Sequence, residues 1–101
     1  MVKLVVAYKT PVDRDQFEDL YVHQHRALAA KIPHVKSASR GVVTSLPGHQ
    51  AVAYYAFGEL LFETEDDLDA AMASTAGRAA VANVREIGTG GVDFMVVHLG
   101  T

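Results

Sequence analysis

The chain has 101 residues, half of them hydrophobic and 21% charged, with a formal net charge of -3 and no cysteine. That length and composition set one folded domain, residues 1–101, and the lack of cysteine excludes disulfides, iron–sulfur clusters and thiolate zinc sites. Nine lysines and arginines scatter without a dense run, and no apolar stretch approaches the roughly 20 residues of a membrane span, so neither nucleic acid nor membrane is an expected partner.

Val2 to Lys9 alternates as a strand, with Val2, Leu4, Val6 and Tyr8 on one face and Lys3, Val5, Ala7 and Lys9 on the other. The start is too short, and too soon followed by Lys9 and Pro11, for a secretion signal. A cytoplasmic location is expected. Asp13 is a helix N-cap with Gln16 as its capping-box partner, and Val12 and Phe17 stand where a hydrophobic staple would place them. Phe17, Leu20, Tyr21, Gln24, Leu28 and Ile32 then form one stripe of a helix running to about Lys31, before Pro33. At roughly 100° per residue, His25 falls on the edge of that stripe beside Tyr21, and His23 points away.

Val35 to Leu46 and the aromatic-rich Ala53 to Phe62 read as a hairpin across the turn Pro47 to Gln50. Thr64 with Asp67 is a second capping box, and Glu65, Asp66 and Asp67 suit the positive end of a helix dipole. Leu68, Ala71, Met72 and Thr75 supply its apolar stripe. Gly77 is expected to break that helix, with a further helical segment from Arg78 to Ile87. Gly88 to Gly91 leads into a last strand, Val92 to Leu99.

The order β-α-β-β-α-β is the ferredoxin-like unit: α+β, an antiparallel sheet with both helices on one face. The other face keeps apolar residues whichever way each strand is oriented: Val5 and Ala7 if the even positions of the first strand face the helices, joined by either Tyr55, Phe57 and Leu61 or Tyr54, Leu60 and Phe62. A face of that kind calls for a partner, and a second copy placed sheet to sheet is the simplest one.

His25 beside Tyr21 is the one polar pair aimed at the interior, and it points to a small-ligand pocket. Imidazole titrates near neutral pH, so His25 is the candidate general base or acid, the one catalytic residue expected. Tyr8, Tyr21 and Tyr54 are the candidate substrate-binding residues, able to orient a phenol or enol. The bland alternative is a half-buried histidine bonded to a backbone carbonyl. His23 and His25 diverge by roughly 200° on a helix, so they cannot chelate one ion, and no metal site is expected. Gly88 to Gly91 follows a helix rather than a strand, so it fails as a dinucleotide loop. No cofactor is expected. Arg40 is read as pairing an acid at the dimer interface in preference to binding an anionic substrate.

Taken together, Phe17 to His25, Arg40-Gly41 followed by Pro47-Gly48, and Ala53 to Glu63 resemble the EthD family of the dimeric α+β barrel superfamily, over nearly the whole chain. The family's helix histidine falls on His25. Two departures stand out: Ala27 replaces a frequent proline, and Arg85 to Gly91 replaces a polar segment before the last strand. The resemblance implies a homodimer of ferredoxin-like units, with a hydrophobic pocket between helices and sheet in each. The founding member is linked to bacterial degradation of ethyl tert-butyl ether. Related barrel families include cofactor-free monooxygenases, polyketide cyclases and lactone isomerases, and some relatives bind haem.

Two functional readings stay open on the sequence. One is a cofactor-independent enzyme of isomerase, cyclase or oxygenase type acting on a small hydrophobic, partly aromatic compound in catabolism or biosynthesis. The other is a non-catalytic ligand-binding or accessory protein of a degradation pathway, using the same cavity. A third class, a structural dimer with a filled core, would need side chains packed solidly around His25.

Overall fold

Alternating apolar residues build a four-stranded sheet in the computed structural model, which describes residues 1–100. The strands are β1 (Val2–Lys9), β2 (Ser37–Val42), β3 (Tyr54–Phe62) and β4 (Val92–His98), in the order β2-β3-β1-β4. All neighbours are antiparallel. This is the expected ferredoxin-like α+β arrangement. Among the described residues no helix is long and apolar enough to cross a membrane.

The first helical region is one continuous rod in three parts. α1 (Arg14–Leu20) passes into a π-helical turn, Tyr21–His25, and then into α2 (Arg26–Ala29). Asp13 caps it as expected, its carboxylate accepting from the Gln16 amide at 3.1 Å. The staple does not form, because Val12 is 87% exposed; its amide instead donates to the Thr89 hydroxyl at 3.0 Å.

The second region holds α3 (Glu65–Ala73) and α4 (Thr75–Ile87). Thr64 caps α3 through the Asp67 amide at 3.1 Å. The break between them comes at Ser74, not at Gly77. Ser74 is extended at φ −68°, ψ 158°, its hydroxyl donates to the Ala71 carbonyl at 2.6 Å and accepts from the Gly77 amide at 3.0 Å. One side chain thus closes α3 and opens α4. Gly77 sits in the first turn of α4 for a different reason: a Cβ there would lie 2.0 Å from the Ala71 carbonyl oxygen.

Val2, Leu4, Tyr8, Ala56 and Phe62 point from the sheet into the core under these helices. The alternation along β3 is interrupted once. Tyr8 pairs with Ala56 but Lys9 with Tyr54, leaving Tyr55 as the extra residue of a bulge. Tyr55 therefore joins Ala56 on the helix side, where it meets Phe17 edge-on with ring centroids 5.7 Å apart. Tyr54 and Phe57 lie on the open face with Val5, Ala7 and Met95. Neither alternative set read from the sequence is correct as it stands, because strict alternation cannot anticipate a bulge.

Helix propensity alone would make Gly77→Ala stabilising by about 1 kcal/mol. The close approach of α3 reverses the sign. Thermal or urea melts should show Gly77→Ala destabilised by about 1–3 kcal/mol, and a more stable variant would contradict the α3–α4 contact.

Candidate functional site

A cavity of about 510 Å³ lies between the first helical region, α4 and the sheet, within the size range of small-molecule sites. Its walls are mostly apolar: Leu4 and Val6 from β1, Ala29 and Ile32 from the first helical region and its end, Val84 from α4. Gly58 on β3 contributes floor without a side chain, opposite the Tyr21 hydroxyl; a Cβ there would already touch it at 3.5 Å.

Of the four site residues expected from the sequence, three line this space, beside the polar residues Arg26, Ser39, Arg40 and Glu59. His25, Tyr21 and Tyr8 all line the cavity. The π turn stacks His25 beside Tyr21, with ring centroids 5.1 Å apart, and Tyr8 stands edge-on to Tyr21 at 6.4 Å. Tyr54 does not join them. The bulge leaves it on the opposite side of the sheet, where its hydroxyl donates to Asp93 Oδ2 at 2.6 Å. Its placement among the substrate-binding residues is corrected accordingly: a ligand beside His25 cannot reach it through the sheet.

His25 is 8% exposed, and its Nδ1 is 3.0 Å from Asn83 Oδ1. Asn83, 5% exposed, uses its Nδ2 to donate to Gln24 Oε1 at 2.8 Å. Among the described residues no protein group bonds His25 Nε2, and that atom is not sealed from the cavity. The Tyr8 and Tyr21 hydroxyls are likewise without a protein partner and not sealed. His23, by contrast, lies out in solvent near Asp19, 3.6 Å away.

Burial pushes the His25 imidazole below its ordinary value, against a smaller upward pull from Asn83, so the ring is neutral at neutral pH. Burial pushes both phenols up. For Tyr8 the neighbouring Tyr21 adds to this and Arg40 opposes it; for Tyr21, Arg40 and Arg26 oppose it and Glu18 adds. Both stay protonated donors.

Arg40 does not wait for an acid from a second copy. It pairs with Gly58 in the β2–β3 register, which aims it to the helix side, and Nη2 donates to Glu18 Oε1 at 2.7 Å. Its guanidinium lies 4.4 Å over the Tyr21 ring. Tyr55 donates to the same Glu18 oxygen at 2.7 Å. The Arg40 bond, foremost, holds the Glu18 carboxyl below the usual range, helped by Tyr55 and opposed by desolvation. Sequence reading missed Asn83, Glu18 and Tyr55. A signal for Asn83 was present, since it interrupts the stripe Ala80, Val84, Ile87 on α4.

The glycine run before β4 is a packing device. A Cβ on Gly90 would fall 2.0 Å from the Thr10 carbonyl oxygen, so the loop lies directly against the end of β1.

Residues 9–86 match the family model described as the EthD domain. The chain belongs to the EthD family. It is 34% identical over 95 residues, covering 94% of this chain and 91% of the relative, to an uncharacterised 11.0 kDa protein in the thcB-thcC intergenic region of Rhodococcus erythropolis. The structure is similar to that of an EthD family protein from Bacillus halodurans, at a TM-score of 0.90 and 23% identity over 99% of both chains. A dimeric ferredoxin-like protein of unknown function from Thermobifida fusca matches at a TM-score of 0.70 and 20% identity, over 97% of this chain and 90% of the other. SnoaB, a cofactor-independent oxygenase from Streptomyces nogalater, matches at 0.68 and 12%, over 99% of this chain and 93% of the other. At these identities the solved structures speak for the fold.

A histidine kept neutral by burial makes stability pH-dependent. Because its folded value is lowered, the unfolded chain takes up the proton first; stability is fully present above the unfolded value and falls as pH drops through it. Urea midpoints should therefore decline from about pH 7 to about pH 5, and His25→Ala should show a shallower decline over that interval. Equal slopes in the two proteins would mean that His25 is not held neutral by its surroundings.

Proposed function

We propose that this chain is a cofactor-independent enzyme of small-molecule catabolism or biosynthesis that moves a proton next to a carbonyl in a small, ring-bearing apolar compound. The observation carrying this reading is the meeting, in one apolar cavity, of a neutral imidazole with a free Nε2 and two protonated phenols. His25 Nε2 takes a proton from the carbon beside the carbonyl, and the electron pair moves into the carbonyl to give an enolate. Tyr8 and Tyr21 donate hydrogen bonds to the developing oxyanion, between mostly apolar walls that strengthen such bonds. The imidazolium then returns the proton to another carbon, which is isomerisation, or to an oxygen after the enolate carbon attacks a second carbonyl, which is cyclisation. The kinship in fold with a cofactor-independent oxygenase supports small-molecule chemistry in this scaffold.

The same reading takes the protein as a homodimer joined through its open sheet faces. Dimeric ferredoxin-like neighbours support a homodimer, and Val5, Ala7, Phe57 and Met95 give the open face apolar content. An obligate interface of this type buries on the order of 2,000 Å² or more.

A first test uses 2-tetralone, an enolisable ketone fused to an aromatic ring, as probe in deuterated buffer. Deuterium uptake faster than with an equal concentration of imidazole is expected for the wild type and for His23→Ala, and should be lost in His25→Ala. Probe binding without any exchange would instead favour the accessory reading. A second test is sedimentation at micromolar protein. Met95, 42% exposed in a single copy, can change without loss of fold, so Met95→Glu should turn a dimer into a folded monomer. A monomeric wild type, or a dimeric Met95→Glu, would remove the open face as the interface.

A further inference from the structure

Asn83 does not line the cavity; it stands behind His25, on α4, and bridges two consecutive side chains of the π turn. Its amide has one accepting end and one donating end. The accepting end, Oδ1, meets His25 Nδ1 at 3.0 Å, and the donating end, Nδ2, meets Gln24 Oε1 at 2.8 Å. An amide oxygen cannot donate, so the proton between His25 and Asn83 belongs to Nδ1. We propose that Asn83 is a positioning residue that locks His25 in the Nδ1–H tautomer, leaving Nε2 as the hydrogen-bond acceptor opposite the donor hydroxyls of Tyr8 and Tyr21.

This deepens the proposed function and rests on it for its chemical consequence, since only that tautomer accepts a proton from a ligand in the cavity. The second ring nitrogen decides what the first can do. Gln24 orients the bridge: its carbonyl oxygen occupies the Asn83 amide nitrogen, so the asparagine presents oxygen, not nitrogen, to the ring. The ligand complementary to this arrangement offers one acidic C–H or O–H to Nε2 and one carbonyl oxygen to the phenols. Enolisable ketones and acylphenols share that pattern; a simple hydrocarbon or an ether does not.

The test reads the tautomer directly, in the ligand-free protein, from the two imidazole ¹⁵N resonances of His25 well above its titration range. The wild type should show protonated Nδ1 and unprotonated Nε2. Asn83→Asp keeps an accepting oxygen in place and should keep that pattern. Asn83→Ala removes the acceptor and should shift the ring to the Nε2–H form that prevails for free imidazole side chains in water. Wild type carrying its proton on Nε2 would overturn the assignment, as would Nε2–H in Asn83→Asp or retention of Nδ1–H in Asn83→Ala. If Asn83→Ala does not fold, the wild type and Asn83→Asp still decide. Because no ligand is present, a failure here is distinct from a failure of 2-tetralone exchange: the tautomer can be as assigned with the wrong reaction proposed, and the exchange can occur through a differently held ring.

Discussion

One backbone hydrogen bond, from the Arg26 amide to the Tyr21 carbonyl, governs the geometry of the whole candidate site. It spans five residues where an α-helix spans four, and so widens one turn of the first helical region. In an uninterrupted α-helix, residues four apart are offset by about 40° and consecutive residues by about 100°. The wider turn changes both relations. Tyr21 and His25 come to lie side by side with their rings tilted by 44°, and the neighbours Gln24 and His25 both reach the same asparagine on α4. π turns are rare and concentrate at functional sites, because something outside the helix has to hold them. Here the holding groups sit at both ends: Arg40 over the Tyr21 ring and Asn83 against Gln24 and His25.

The groups around His25 stay neutral while the charged residues lining the cavity, Arg26, Arg40 and Glu59, come from other parts of its wall. Of the two arginines lining it, Arg40 has its carboxylate partner in Glu18, and Tyr55 donates to the same carboxylate oxygen. The neutral groups are an imidazole kept uncharged and two phenols kept protonated, all chiefly by burial. Neutral groups of this kind do not themselves attract a charged ligand. What they favour is charge that appears during a reaction, since preorganised donors gain most from an oxyanion absent from the ground state.

Much of this was legible in the chain because it depends on local periods. The alternation of β1 grouped Tyr8 with Val2, Leu4 and Val6 on one face, which is the core side, and both N-caps form through the amides expected, Asp13 to Gln16 and Thr64 to Asp67. Helical phase separated His25 from His23 even though the turn between them is π, because a change of one residue per turn does not bring opposite sides together. What escaped reading depends on contacts between distant segments. Asn83 meets His25 across 58 positions and Arg40 meets Glu18 across 22. The break at Ser74 escaped for a related reason: a glycine is the usual punctuation of a helix, whereas this one answers a close approach by Ala71 that only the folded packing creates.

The β3 bulge explains why a chain this short can keep two functions of one sheet apart. Tyr54 and Tyr55 are adjacent and chemically alike, and each bonds a carboxylate, Asp93 and Glu18 respectively. In a regular strand they would face opposite sides, and so they do, but the bulge then puts Ala56 on the same side as Tyr55. The small Ala56 beneath the core and the bare Gly58 beneath Tyr21 follow from that shift. Had alternation continued unbroken from Tyr55, Phe57 would have turned inward instead, toward the space where Tyr8 and Tyr21 meet. A phenyl ring there would compete with a ligand for the cavity. The extra residue thus sends the bulky Phe57 to the open face and small residues to the cavity floor, so that one strand supplies an apolar surface on one side and room for a ligand on the other.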